Sequence, residues 1–228
     1  AEVPPTTGTG RKTVVVLGSG WGAISFVKSL EQTKAYDVIL VSPRNYFLYT
    51  PLLPGAATGA VEERSIVEPI RRPIAEKGYK YYEASCIDVD PAGKKIVCRA
   101  EDPSFECADD ADECPWHAFD VEYDYLVTAV GAVPNTFGVP GVEEHAMFFK
   151  EIAHASKFRR EVNERFERAT LPDVPEARLK ELLSFVVIGA GPTGVELAAE
   201  LYDMVYEDVP LSPPGAAAAT RPEGDGGG

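Results

Sequence analysis

Twice in this chain an apolar run feeds a glycine-spaced turn and then a helical pattern: TVVVLGSGWGAISFVKSL at 13–30 and SFVVIGAGPTGVELAAEL at 184–201. Each run is continuous and rich in β-branched residues, which suits a strand covered on both faces of a parallel sheet. Each turn opens a helix whose first N–H groups have no intrahelical partner. With the helix dipole behind them, those groups favour a phosphate. The expected fold is therefore α/β: a Rossmann-type parallel sheet near residues 12–150, with a small antiparallel meander around 94–123.

The first unit offers Gly18, Gly20 and Ala23, a G-x-G-x-x-A pattern. Gly18 allows the tight turn, Gly20 lets a pyrophosphate approach the backbone, and Ala23 keeps the helix close to its strand. Strand Thr13–Leu17, helix 20–30 with Ile24, Val27 and Leu30 on one face, and strand Asp37–Ser42 give the turn its confirming context. Strand two usually ends in an acid for the ribose hydroxyls. Here it ends in Ser42, which offers one hydrogen bond and no charge, while the neighbouring Arg44 can reach adenine or phosphate.

The loop 43–63 is long for a compact domain and reads as a binding loop. A short helix is expected near 65–77, interrupted by Pro69 and Pro73. Alternating strands follow in 79–90, 93–100 and 118–130. The segment 123–141 returns the chain to the carboxyl edge of the sheet, where Gly131 and Ala132 are small because backbone must pass close by; the plainer alternative is a Gly-Pro loop after an edge strand. A helix is expected over 151–169 with Ile152, Ala155, Phe158, Val162 and Phe166 at helical spacing. The second unit then supplies strand 185–188, helix 191–206 and a full G-x-G-x-x-G at Gly189, Gly191 and Gly194. Two cradles so far apart in sequence point to two dinucleotides. In flavoenzymes such a pair seats FAD on the first unit and NAD(P)H on the second.

Composition narrows the partners. A net charge of −14 argues against nucleic acid, and no run of eighteen apolar residues is present. None of the cysteines at 86, 98, 107 and 114 forms a Cys-x-x-Cys pair. Cys107 and Cys114 flank an acidic loop near His117, for which a solvated loop is favoured over a zinc site. The three histidines, His117, His145 and His154, give no clear general acid or base, and His154 falls on a helix flank. The chain starts at Ala1 without a signal-peptide pattern, so either a targeting segment has been removed or the sequence is a fragment. Residues 210–228 are a Pro, Gly and Ala tail, for which disorder is expected.

The stretches VSPRNYFLYTPLLPGAATGAVEERSIVEPIR, GAVPNTFGVPGVEEHAMFFKEIAHA and VVIGAGPTGVELAAEL resemble the type II, non-proton-pumping NADH:quinone oxidoreductases of mitochondria and plastids. The resemblance covers about residues 12–208, and Ser42 is similar to the serine of the eukaryotic branch. Disulfide reductases of the same fold need a redox cysteine pair beside the flavin, whereas 45–54 contains no cysteine. Sulfide:quinone reductases likewise need cysteines whose positions are not matched. The resemblance implies that Gly18, Gly20, Trp21, Gly22 and Ala23 hold the FAD pyrophosphate. It sets Ser42, Pro43, Arg44 and Asn45 along the adenosine, Thr50 and Pro51 near the isoalloxazine, Ala84 or Ser85 against adenine, and Gly131 over the cofactor. Gly189, Ala190, Gly191, Pro192, Thr193 and Gly194 would hold NAD(P)H, with Glu196 directed to the nicotinamide–flavin junction. As a plain helix residue, Glu196 would instead be capped or solvated.

The implied division is a lead-in at 1–11, the first part of an FAD domain at 12–150, a connecting helix and linker at 151–183, the start of an NAD(P)H domain at 184–209, and the tail. Implied partners are a quinone and a membrane surface in the full-length relatives, at the mitochondrial inner membrane or the plastid thylakoid surface. Self-association, including a homodimer, is expected through the uncovered face of 185–188. The family continues well beyond this length, so the chain is expected either to be a truncated enzyme with little turnover of its own or to be a non-catalytic flavin- or nucleotide-binding or assembly module.

Overall fold

The computed structural model describes residues 10–30, 35–100 and 118–208. The acidic loop with Cys107, Cys114 and His117, the tail from Pro210, and all of the lead-in but Gly10 and Arg11 lie outside these. In chain order the regular elements are β1 (Lys12–Leu17), α1 (Trp21–Ser29), β2 (Tyr36–Ser42), β3 (Tyr46–Leu48), a 3₁₀ turn (Thr50–Leu52), α2 (Leu53–Thr58), a second 3₁₀ turn (Glu63–Ile66), β4 (Val67–Pro69) and α3 (Arg71–Glu76). Then come β5 (Lys80–Asp90), β6 (Lys95–Ala100), β7 (Ala118–Glu122), β8 (Tyr125–Thr128), α4 (Val142–His145), α5 (Ile152–Ala169), α6 (Glu176–Leu182) and α7 (Pro192–Asp203). Contacts divide the chain into two compact units: Ala1–Leu48 with Val67–Asn135, and Tyr49–Ile66 with Thr136–Gly228.

The first unit is built on a sheet of order β7-β6-β5-β2-β1-β8. β1 is central and pairs in parallel with β2 on one side and β8 on the other. That position explains its unbroken apolar run. Val14 and Val16 pack with Val38, Leu40 and the α1 residues Ala23 and Val27, while Val15 and Leu17 pack with Ile39, Val41, Ile96, Cys98 and Val121. Burying one such aliphatic side chain contributes roughly 1.5–3 kcal/mol, so these two clusters dominate the stability of the unit.

β5 serves two ladders. Its start, Lys80–Glu83, pairs in parallel with β2, and from Ala84 onward it pairs antiparallel with β6. An irregularity between Cys86 and Asp88 bends the second ladder, as an extra residue on one strand does. β6 and β7 complete the expected meander.

Between 63 and 77 the chain departs from the expected helix. The segment divides into a 3₁₀ turn, β4 and α3. β4 pairs antiparallel with β3 as a two-stranded ladder, with Pro69 at its end, where a missing N–H costs least. Pro73 is accepted in the first turn of α3, whose N–H groups have no helical partner anyway.

The second unit is helical. α2 is buried along its whole length and packs with α5 and α7. Its end is closed by Gly59 at φ +92°, and the Arg159 guanidinium of α5 lies where a Gly59 side chain would stand, 2.9 Å from the ideal Cβ. The Glu200 carboxylate of α7 accepts a hydrogen bond from the Thr58 hydroxyl at 3.3 Å. The apolar face of α5 is as the periodicity predicts, with Ala155, Val162 and Phe166 buried. His154 is half-buried, and its Nδ1 accepts the N–H groups of Lys150 and Glu151, capping α5.

Residues 185–188 form no strand. Val186 is 86% and Ile188 71% exposed, and no ladder joins them to another described strand. An extended apolar segment becomes a strand only when a neighbour takes up its N–H and C=O groups. α7 begins as expected but ends at Asp203, and a π turn, Met204–Asp208, replaces the last helical turn.

Tyr81 ties this fold to pH. Its hydroxyl donates to the Ser42 carbonyl at 3.1 Å, and burial, helped by Glu83 and opposed by Arg71, pushes its pKa up to about 12. The unfolded chain ionises near 10, so the stabilisation is fully present below pH 10 and is lost as pH rises towards 12. Tyr81→Phe should cost about 0.5–1.5 kcal/mol at pH 7 in urea unfolding, through the lost hydrogen bond. It should also flatten the decline in stability between pH 10 and 12; an unchanged decline would refute this role for Tyr81.

Candidate functional site

The carboxyl edge of the parallel strands in the first unit is assembled around Gly18. Its N–H donates to the Val41 carbonyl at 2.8 Å, and the Ala129 N–H donates to Leu17 at 2.9 Å, so the turn is fastened to the strands on both sides. Gly18 stands at φ +108°, and a Cβ there would lie 2.9 Å from the Ala129 carbonyl carbon and closer still to its oxygen. A side chain is thus excluded twice, by conformation and by space.

Gly20 is different. It caps α1 at φ −83°, ψ −167°, a conformation any residue adopts, and the nearest atom to an added Cβ is Arg44 Nη2 at 3.9 Å. No side chain caps α1. The space above Gly20 is therefore open, faces the uncapped amino end of a nine-residue helix, and has a guanidinium beside it. These are the requirements of a bound phosphate. Ala23 is fully buried behind the turn, and exposed Trp21 stacks edge-on against Phe47 with ring centroids 4.9 Å apart. Gly22 is also exposed, its Cβ direction meeting only the Ala129 methyl at 3.6 Å.

Ser42 faces inward. It is 2% exposed, and its hydroxyl accepts the Arg44 N–H at 3.1 Å while lying 3.0 Å from both Ser19 Oγ and the Arg44 carbonyl. Ser19, the residue between the first two glycines, is equally buried; its hydroxyl donates to Tyr46 at 3.1 Å and accepts from Arg44 Nε at 3.4 Å. Arg44 also lies over the Tyr46 ring at 5.3 Å. The serine pair therefore aims Arg44, a role that the sequence reading missed for Ser19. Its one available signal was a small hydroxyl residue inside the glycine turn.

Pro43 and Asn45 are exposed next to this network, and the Asn45 amide donates to the Glu83 carboxylate at 3.2 Å. Ala84 is buried in the core, and Ser85 pairs with Arg99 in the meander. Gly131 has φ +78° with no protein atom within 4 Å of an added Cβ. A close backbone passage within the protein occurs at Ala129, which meets Gly18. Cys86 and Cys98 are opposite one another across β5 and β6, and burial raises both thiols, Cys98 to about 12. Thiols so raised are poor nucleophiles at neutral pH.

In the second unit, exposed Thr50 and Pro51 open the 3₁₀ turn before α2. The second glycine turn repeats the backbone of the first. Gly189 has φ +113° against +108° for Gly18, and Gly191 has φ −76°, ψ 173° against −83°, −167° for Gly20. Gly194 admits no Cβ, which would fall 3.2 Å from the Gly189 carbonyl carbon and closer to its oxygen. Nothing lies within 4 Å of a Cβ at Gly189 or Gly191, and Ala190, Pro192 and Thr193 are exposed between them. Glu196 is exposed one turn into α7.

Comparison with known proteins follows the same lines. The family model for pyridine nucleotide-disulphide oxidoreductase matches residues 12–212. An external alternative NAD(P)H-ubiquinone oxidoreductase B4, mitochondrial, of Arabidopsis thaliana is 52% identical over 199 residues, 87% of this chain and 33% of that protein. Two solved structures of NDH2 from Plasmodium falciparum, in complex with RYL-552 and with NADH, align at TM-scores of 0.78 and 0.76. Their identities are 35% and 36%; they cover 89% and 87% of this chain, and 39% and 38% of theirs. The chain thus spans about a third of the length of the curated relatives it matches.

The contrast between Gly18 and Gly20 is testable without any ligand. Gly18→Ala should lower unfolding free energy by at least about 2 kcal/mol, through strain at positive φ and displacement of the Ala129 backbone. Gly20→Ala should change it by no more than about 0.5–1 kcal/mol. Equal losses in urea titrations would mean that the space above Gly20 is not free.

Proposed function

The chain belongs to the pyridine nucleotide-disulphide oxidoreductase family, and on that premise we propose that it carries the FAD-binding and NAD(P)H-binding turns of an alternative NAD(P)H:quinone oxidoreductase. The observation that carries this reading is the pair of glycine turns with one backbone conformation. In the proposed assignment the first turn takes the flavin dinucleotide. Its pyrophosphate lies above Gly20 against the α1 N–H groups, and Arg44, aimed by Ser19 and Ser42, neutralises phosphate charge. Adenosine runs towards Asn45, Ala84 and Ser85. Gly131 lies over the cofactor.

The second turn, Gly189 to Gly194 with Ala190, Pro192 and Thr193, receives NAD(P)H as the start of a nicotinamide-nucleotide domain over 184–209. Glu196, exposed one turn into α7, serves the nicotinamide end of that nucleotide. A bound flavin supplies two-electron acceptance from the nicotinamide and onward delivery to a quinone. The protein's share is to position the dinucleotides and set their electrostatic surroundings; no side-chain nucleophile is required, in keeping with the raised cysteine thiols. The relatives named mitochondrial support a mitochondrial site. On the resemblance to these relatives we assign the protein to the surface of the mitochondrial inner membrane; no helix among the described residues is long and apolar enough to cross a membrane.

The exposure of Val186 and Ile188, with no ladder joining 185–188 to another described strand, favours a second reading, in which this chain acts only as a flavin-binding or assembly module. One experiment separates the readings. The purified chain, loaded with FAD, is titrated anaerobically with NADH while the 450 nm flavin absorbance is followed, and then given a short-chain quinone. Bleaching followed by recovery supports the oxidoreductase, whereas bound flavin that NADH does not bleach supports the module. Gly20→Val should weaken FAD binding at least about a hundredfold, because a branched side chain fills the pyrophosphate space. Flavin retained at the parent ratio would refute the assignment of the first turn.

A further inference from the structure

With Ser42 turned into the protein, strand β2 presents neither charge nor a spare hydroxyl at the edge where a nucleotide-binding sheet ordinarily offers a carboxylate. One stands beside it on the next strand. In the parallel β2–β5 ladder the register partner of Ser42 is Glu83. Ser42 and Tyr81 lie on the face of the sheet that packs against α1, and alternation along β5 places Glu83 on that face as well. The Glu83 side chain is 40% exposed and is held by neighbours. Its Oε1 accepts from the Asn45 amide at 3.2 Å, and its Oε2 lies 3.7 Å from the Arg71 guanidinium, which is itself over the Tyr81 ring at 4.8 Å. An ionised carboxylate has about four acceptor positions, so acceptor capacity remains after these contacts.

We infer that Glu83, on β5, supplies the carboxylate that receives the adenosine ribose hydroxyls of the dinucleotide bound at the first glycine turn. The inference rests on the reading that this turn seats FAD. Three features carry it. The position is right: Glu83 ends the parallel part of β5 beside Ser42, the last residue of β2, at the edge of the parallel strands where open α/β sheets hold their ligands. The chemistry is right: vicinal hydroxyls are two donors, and a carboxylate is the side chain that accepts both. The group is partly ordered before binding, because the Asn45 amide donates to it and the Arg71 guanidinium lies 3.7 Å away, which reduces the ordering cost. The pyrophosphate end has its own charge, the Arg44 guanidinium beside Gly20. Ribose and phosphate recognition are thereby divided between Glu83 and Arg44.

The test is a cycle between side chain and ligand. The full chain and its Glu83→Ala and Glu83→Gln variants are titrated with FAD, and with an FAD analogue whose adenosine ribose lacks both hydroxyls, by quenching of flavin fluorescence. The parent chain should bind the analogue about tenfold or more weakly than FAD, as expected for hydrogen bonds to a charged acceptor. Glu83→Ala should bind FAD about tenfold more weakly than the parent and show no remaining preference between the two ligands. Glu83→Gln should fall between them, since a neutral acceptor makes the weaker bond. Thermal melts monitored by circular dichroism should be alike for all three, because the residue is surface-exposed. If Glu83→Ala discriminates between the ligands as the parent does, the assignment of Glu83 is overturned and the flavin reading stands. If the parent binds neither ligand, the flavin reading falls and takes the assignment with it.

Discussion

The first unit depends on how closely two backbones pass, that of Gly18 leaving β1 and that of Ala129 leaving β8. No L side chain fits between them, and the same residue must hold a positive φ to turn the chain into α1. Once that approach is made, the Gly18 N–H reaches Val41, the Ala129 N–H reaches Leu17, and three parallel strands end at one level. α1 then starts directly above that edge with its amino end open. A wider separation would lower the helix onto the sheet at another angle and leave its free N–H groups facing nothing. The anion cradle is thus a consequence of strand packing rather than an addition to it.

What lies around the cradle follows from side chains too short to reach a ligand. Ser19 and Ser42 are both buried and joined to each other, and between them they fix Arg44 through its Nε and its N–H. A buried hydroxyl must find partners, since leaving one unpaired costs about 1–3 kcal/mol. This requirement turns Ser42 away from solvent. Charge at the edge therefore comes from residues next to the serines, a cation at Arg44 and an anion at Glu83.

Much of this could be read from the sequence, and the reason is physical. β1, β2, β5 and β8 are apolar or alternating runs whose burial demands a sheet, and glycine spacing alone defines the turns. What could not be read depended on register. The pairing that sets Glu83 opposite Ser42 joins residues forty-one positions apart, and nothing local to either announces it. β3 and β4 are three residues each, too short to show a period, so a helix was expected where β4 and α3 divide the segment. The partners of the Ser42 hydroxyl, Ser19 and Arg44, were likewise out of reach, because strand alternation assigns a face and not the partner a hydroxyl will choose.

The two glycine turns separate local from long-range causes. Their φ and ψ values agree within about twenty degrees, although β1 is paired on both sides and 185–188 has no ladder among the described residues. Turn geometry is therefore encoded locally, through a glycine at positive φ in the first position and a small residue, Ala23 or Gly194, in the last. Strand geometry is not so encoded, because an extended backbone needs a neighbour to accept its hydrogen bonds. Affinity at each turn should follow the same division. A turn fastened to two strands is preformed, while one entered from an unpaired segment is binding-competent only for part of the time, and its apparent affinity falls by that fraction. Under the proposed assignment, pairing of 185–188 should then strengthen nucleotide binding at the second turn without touching the nucleotide.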